Sequence, residues 1–222
     1  MIQLVKCLTI FMLFSYNSHE IFAANTIQIG AYIESLCPDS RDFVNQQLWP
    51  TYEALKAESP PVISVNLVPF GNADMTFVSN STTQPMLTYT CQHKGQECLG
   101  NIIQSCAFIK LDLDKSLGLT NCMFKSTNWR TPYQSSAQCA KDLNIDFTVL
   151  SDCANSLEGL AIEYFMSGQT RSLEPKHNWI PWVTLNGVHT QQIQDEATTD
   201  LLGLICKTYR GSTTPKACQS KL

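Results

Sequence analysis

An alternating apolar run, Ile27 to Ser35 with Ile27, Ile29, Ala31 and Ile33 on one face, ends at the pair Cys37-Pro38 and passes at once into a helical pattern. That junction limits the possible folds more than any other stretch of the chain. Proline at the first helical position gives up an N–H that would have had no partner, so Cys37 falls near the N-cap. The remaining free N–H groups and the positive end of the helix dipole then face its sulfur. A thiol held there is favoured as the thiolate, which is its reactive form. Three residues further on, where a second thiol would complete Cys-x-x-Cys, stands Ser40. Asp39 opposes the dipole: a carboxylate beside the sulfur is expected to raise the thiol pKa.

The 222 residues suit one domain, or one domain with a large insert. A net charge of −4 and the lack of any basic block argue against a nucleic-acid partner. Lys6 followed by Leu8 to Phe14 reads as a short secretory signal ending near Phe22-Ala23-Ala24, so residues 1–24 are expected to be removed and 25–222 to form the mature domain. No later segment approaches the ~18 apolar residues needed to span a bilayer. Of ten cysteines, removal of Cys7 leaves nine: Cys37, Cys91, Cys98, Cys106, Cys122, Cys139, Cys153, Cys206 and Cys218. In an exported chain most should be in disulfides. Nine is odd, and Cys37 is the best candidate for the free thiol, leaving eight to make four bridges. A disulfide-linked dimer through Cys218 is the competing solution. Asn80-Ser81-Thr82 is a glycosylation sequon at Asn80.

Pro38 to about Lys56 reads as one helix kinked at Pro50. It is followed by a strand over Val62 to Val68, which makes a β-α-β unit with parallel strands. Residues 74–90 look like an exposed loop or hairpin. The stretch from 91 to about 174 is mostly helical: one helix spans Glu97 to Leu111, residues 142–149 are loop-like, and a helix runs from Ser151 through Phe165 with Gly168 beyond its end. Cys98 and Cys106 on one helix lie roughly 12 Å apart at ~1.5 Å rise per residue, too far for one disulfide, so each needs a partner elsewhere. A strand over Trp179 to Leu185, a turn at Asn186-Gly187 and a short strand from Val188 read as a hairpin. The last helix starts at Asp195 or Ala197. Cys206 and Cys218 are close enough in sequence to bridge and pin the tail.

Three separated patches now agree. Cys91-Gln92-His93-Lys94-Gly95-Gln96-Glu97-Cys98, with Asn101 and Cys106 beyond it, resembles the sixteen-residue signature C-Q-H-G-x-x-E-C-x-x-N-x-x-x-x-C of the gamma-interferon-inducible lysosomal thiol reductase (GILT) family. Val68 to Ala73 and Pro181 to Gly187 are similar to further stretches of that family. The resemblance implies an α/β, thioredoxin-like fold with a disulfide-rich helical insert, about residues 74–174, between the second and third core strands. It also implies that Pro181 is cis and packed against Cys37, with Ile180 offering backbone groups to an extended substrate. The implied activity is reduction of disulfides in disulfide-bonded or unfolded proteins, in a lysosomal or secreted setting. No cofactor is expected.

Two departures from the family pattern matter. Lys94 stands where the signature has glycine, with Gly95 one place late. Ser40 replaces the resolving cysteine. Cys37 would then act as a lone nucleophile released by an external small thiol such as cysteine or glutathione. The alternative is a catalytically impaired secreted relative that binds a partner. A zinc site on Cys91, Cys98, Cys106 and His93 is disfavoured by the oxidising compartment and the ligand spacing, and no metal is expected. His93 and Glu97 read as local hydrogen-bonding or capping residues. His177 and His189 flank the Pro181 strand, and of Trp179 and Trp182 one should face the core and the other a groove.

Overall fold

The computed structural model describes residues 25–78 and 86–220, so the expected signal and the Asn80 sequon lie outside the described residues. A three-stranded sheet is central, in the order β2-β1-β5. Its strands are β1 (Ile27–Ile33), β2 (Ile63–Pro69) and β5 (Trp182–Leu185). β1 pairs in parallel with β2, Ile27 opposite Ile63, and antiparallel with β5, Tyr32 opposite Trp182. Antiparallel strands β3 (Asp74–Val78) and β4 (Met86–Thr90) form a separate hairpin between β2 and β5.

The sheet is buried on both faces. Ile27, Ile29, Ala31 and Ile33 of β1, with Val65 and Leu67, pack against the helical run after Cys37 and against the last helix, where Leu48, Leu55, Leu201 and Ile205 face them. Tyr32, Val68 and Trp182 point the other way, towards Phe70, Met75, Met166 and Cys37. The alternation along β1 therefore separates a structural core from the face that carries the sulfur.

The run after Cys37 comprises α1 (Pro38–Phe43), a π-helical turn (Val44–Leu48) and α2 (Trp49–Leu55). The helical path is continuous, as the sequence suggests, but its irregularity precedes Pro50 instead of sitting on it. Proline has no N–H for the preceding turn and its ring crowds that turn's carbonyl. A wider turn just before it absorbs both problems.

Between β4 and β5 lie α3 (Lys94–Lys110), α4 (Leu113–Lys125), α5 (Pro132–Asp142), α6 (Phe147–Ala154) and α7 (Leu157–Arg171). Ile103, Leu119, Met123, Ala140, Ile145 and Leu150 give these helices a small core of their own. Asp112, Asp146 and Ser156 cap α4, α6 and α7 through side-chain oxygens. The cap at Asp146 starts α6 inside the stretch read as a loop, and the cap at Ser156 divides the single helix expected from Ser151 to Phe165 into two. Gly168 lies within α7, not beyond it. The disulfides are Cys91–Cys98, Cys106–Cys153, Cys122–Cys139 and Cys206–Cys218. Cys106–Cys153 closes 47 residues of sequence, which by chain entropy is worth about 4 kcal/mol. Cys218, the cysteine that could have joined two chains, is bonded within its own.

The final segment differs from expectation at both ends. β5 begins at Trp182, not Trp179, because the chain is bent at 179–181. Asn186 and Gly187 take positive φ of 51° and 77°, as a two-residue hairpin turn requires. The returning strand shrinks to a single bridge, Leu185 to Val188. Thr190 caps α8 (Gln191–Thr208) immediately afterwards through the Ile193 N–H at 3.1 Å, so no room is left for a strand.

Lys94 has φ +68° at the start of α3. The backbone has kept the left-handed conformation that glycine allows and placed a lysine in it, while Gly95 does not take a positive φ. Lys94→Gly should therefore stabilise the protein by about 1 kcal/mol. A denaturant midpoint that stays put or falls would show that Lys94 makes compensating contacts.

Candidate active site

Cys37 is the N-cap of α1, with φ −78° and ψ 122°, and Pro38 follows at the first helical position. Its Sγ accepts the Ser40 N–H at 3.5 Å and lies 3.7 Å from the Ile180 carbonyl oxygen, to which the thiol can donate. The residue is 9 % exposed and is the free cysteine among the described residues. Ser40 is fully buried. Its hydroxyl accepts the Glu34 N–H at 3.2 Å.

Burial pushes the Cys37 thiol pKa up. The Ser40 hydroxyl and N–H pull it down, the Glu34 carboxylate raises it again, the Asp39 N–H lowers it, and the balance stays upward. The sequence assigns the opposing negative charge to Asp39, and the structure corrects that assignment. Asp39 is exposed, its backbone N–H favours the thiolate, and Glu34 supplies the opposing charge. Burial also outweighs the N-terminal N–H groups, so the site holds the thiol pKa above its ordinary value.

Glu34 is the residue that sequence reasoning missed. It is 1 % exposed and accepts the Asn72 N–H at 2.6 Å. Burial raises its pKa to about 7 against the pull of Asn72; Glu97 raises it further and His93 lowers it. Gly71, at φ +58°, turns the chain over this carboxylate, and a Cβ there would meet Glu34 Oε1 at 2.5 Å. The stretch Val68 to Ala73 thus ends β2 and wraps a buried acid.

The cysteine-rich stretch grips the same loop from the other side. The Asn101 side-chain oxygen accepts the Ser35 N–H at 2.8 Å, and the Ser35 hydroxyl donates to the Glu97 carbonyl at 2.9 Å. Gly100 is the point of closest approach: a Cβ there would sit 2.4 Å from Ser35 Oγ. The Glu97 carboxylate accepts the His93 N–H at 3.1 Å and pairs with the His93 ring, so both residues serve the helix start. From Asn101 the network continues to Tyr89, whose hydroxyl donates to the buried Glu163 at 2.6 Å. Since Cys91, Cys98 and Cys106 are all in disulfides, a thiolate zinc site on them is excluded. Glu34, His93 and Glu97 have ligand atoms within 4.8 Å of one another and could hold a cation. The hydrogen bonds that already involve them let a proton serve the same purpose.

The third patch closes the site. The Ile180–Pro181 bond is cis and brings the Ile180 carbonyl to the sulfur. Gln194, 5 % exposed, accepts the Val183 N–H at 3.0 Å and donates to the Pro181 carbonyl at 3.0 Å, standing in for a neighbouring strand. A groove of about 370 Å³ opens between α1, Trp179–Pro181 and the start of α8. Trp182 is buried and Trp179 forms part of the groove wall. His189 stacks on Trp182 and contacts the Val183 carbonyl at 2.8 Å. His177 is half-buried, with its pKa lowered by burial and then by Lys176. The hydrogen bonds of the Cys37 sulfur go to Ser40 and Ile180, not to either histidine.

Residues 28–143 match the family model described as gamma interferon inducible lysosomal thiol reductase (GILT). The chain belongs to the GILT family. It is 33 % identical over 199 residues to the gamma-interferon-inducible lysosomal thiol reductase of Carassius auratus, covering 89 % of this chain and 74 % of the relative. It is 28 % identical over 225 residues to GILT-like protein 1 of Drosophila melanogaster, covering 96 % and 86 %. A solved thioredoxin-like oxidoreductase from Silicibacter pomeroyi superposes with a TM-score of 0.49 at 11 % identity, covering 80 % of this chain and 87 % of that one. The hairpin and the disulfide-bonded helices lie between β2 and β5 of the β2-β1-β5 sheet. In GILT terms, the signature, the post-β2 turn and the cis-proline segment are three supports converging on one loop, Glu34 to Cys37. Among the described residues no helix is long and apolar enough to cross a membrane.

Proposed function

We propose that this GILT-family protein is a thiol-disulfide oxidoreductase in which Cys37 is the single nucleophile and an external thiol completes the cycle. The observation that carries the reading is the unpaired Cys37 sulfur, set between the Ser40 N–H and the carbonyl of Ile180, a residue that lines the adjoining groove. The Cys37 thiolate attacks one sulfur of a substrate disulfide. A Cys37–substrate disulfide forms, the old S–S bond breaks, and the leaving thiolate takes up a proton. A small thiol such as cysteine or glutathione, as thiolate, then attacks this mixed disulfide, freeing either the substrate thiol or Cys37. A second small thiol completes the reduction, so two small thiols become one disulfide for each substrate disulfide reduced. Ser40 steadies the sulfur but cannot replace the second thiol. The Ile180 backbone would pair with an extended polypeptide, so the substrates are disulfide-bonded or unfolded proteins. We place the activity in the secretory route, in lysosomes or outside the cell.

The test is trapping. A denatured disulfide protein mixed with the enzyme, without small thiol, should yield a covalent adduct that mass spectrometry maps to Cys37. Cys37→Ser should give none, and added cysteine should discharge the adduct. Equal disulfide reduction by wild type and Cys37→Ser would remove the redox reading. The upward displacement of the Cys37 pKa supports a second reading, a binding protein on the same scaffold. Its mark is a biological effect that survives Cys37→Ser.

A further inference from the structure

We infer that the groove beside Cys37 selects polypeptide segments carrying a lysine or arginine next to the disulfide cysteine. The inference rests on the thiol-exchange reading above and adds a substrate class to it. Asp39 and Asp42 lie three residues apart on α1, hence on one helix face, and both line the groove. Asp39 is exposed, and its carboxylate has no hydrogen-bond or ion-pair partner among the described residues. Asp42 pairs with Arg41 at 3.2 Å. The Arg41 guanidinium lies 5.0 Å from the centre of the Trp129 ring. Among the described residues, no lysine or arginine lines the groove.

Trp179 lines the same groove. Trp179 is 40 % exposed and its ring sits 5.2 Å from that of Trp182, which is buried. An unpaired carboxylate and an exposed indole lining one groove suit a cationic side chain, which gains an ion pair and a cation–π contact together. Pro181 and Phe43 add apolar surface for the methylene stem of lysine or arginine. At about 370 Å³ the groove is near the lower end of ligand pockets and holds one or two residues of an extended chain. Because Asp39 follows Cys37 by two residues, the cation it attracts belongs to the immediate neighbour of the attacked cysteine. A glutamate in that place meets Asp39 with like charge.

The experiment uses three peptides, each with its one cysteine in a disulfide with 2-thiopyridine and differing only in the next residue: lysine, glutamine or glutamate. Attack by Cys37 forms the Cys37–peptide disulfide, breaks the bond to the pyridyl sulfur and releases a thiopyridone whose absorbance is followed. The second-order rate should fall from lysine to glutamine to glutamate, with about a tenfold difference between the extremes at low salt. The ratio should contract as ionic strength rises to ~1 M, where charges are screened beyond about 3 Å. It should also contract in the double variant Asp39→Asn, Asp42→Asn. Equal rates for all three peptides, with adduct forming at Cys37, would overturn the inference while leaving thiol exchange intact. If no peptide forms an adduct, thiol exchange itself fails, and S-methylated peptides titrated against tryptophan fluorescence decide the inference. Tighter binding of the lysine peptide sustains it; equal binding ends it.

Discussion

Ser40→Cys is expected to raise steady-state disulfide reduction by about tenfold to a hundredfold at millimolar external thiol, because an intramolecular nucleophile replaces a bimolecular encounter. The geometry is already in place. The Ser40 N–H reaches the Cys37 sulfur at 3.5 Å, and the Ser40 side chain lowers that thiol's pKa. A thiol at position 40 would attack the mixed disulfide without waiting for a partner. The substitution costs something: Ser40 is fully buried and accepts the Glu34 N–H, and sulfur is the weaker acceptor, so a loss of about 1 kcal/mol in stability is expected. The adduct trapped on wild type should become short-lived in the variant. Unchanged turnover in a folded Ser40→Cys protein would mean that resolution does not limit the cycle.

Stability should be greater at pH ~5 than at pH ~8, by on the order of 3 kcal/mol from Glu34 alone, since each tenfold gain in proton affinity on folding is worth about 1.4 kcal/mol. Burial raises Glu34 from 4.5 to about 7, and Glu163 from 4.5 to about 8. Between 4.5 and those values the folded chain keeps protons that the unfolded chain has released, so stability falls as pH climbs through that window. Glu163 is fully buried, and one of its oxygens has no hydrogen-bond partner among the described residues, which favours the neutral acid. His177 acts in the opposite sense, since its lowered pKa makes protonation costly when folded, but it is only half-buried. Denaturant midpoints at the two pH values measure the difference, and Glu34→Gln with Glu163→Gln should flatten it. A protein more stable at pH ~8 would show that these acids are ionised and compensated in the folded state.

The parts of the site that the sequence exposes are local. The change from a two-residue to a helical period at Cys37-Pro38 is visible within a dozen residues, and so is the Asn186-Gly187 turn. The family signature shows which chain this is without showing what its residues do. Asn101 holds the Ser35 N–H, and Gly100 leaves room for the Ser35 side chain, across more than sixty residues of sequence. Glu34 reads as an ordinary charge at the end of a strand until Asn72, His93 and Glu97 are folded around it. Gln194 likewise looks like one polar residue among several on α8, yet it holds the backbone on either side of Trp182. The helix boundaries at Asp146 and Ser156 are missed for a different reason: both are set by single capping side chains, which apolar spacing does not register.

The bond from Cys206 to Cys218 ties eleven intervening residues to the last helix and leaves Cys37 without a rival among the described residues. A chain lacking Cys218 would leave Cys206 without its partner, and Cys206 would compete for oxidant and client sulfur during folding. The tail bond thus removes a second thiol, and Cys37 is left as the uncommitted nucleophile among the described residues.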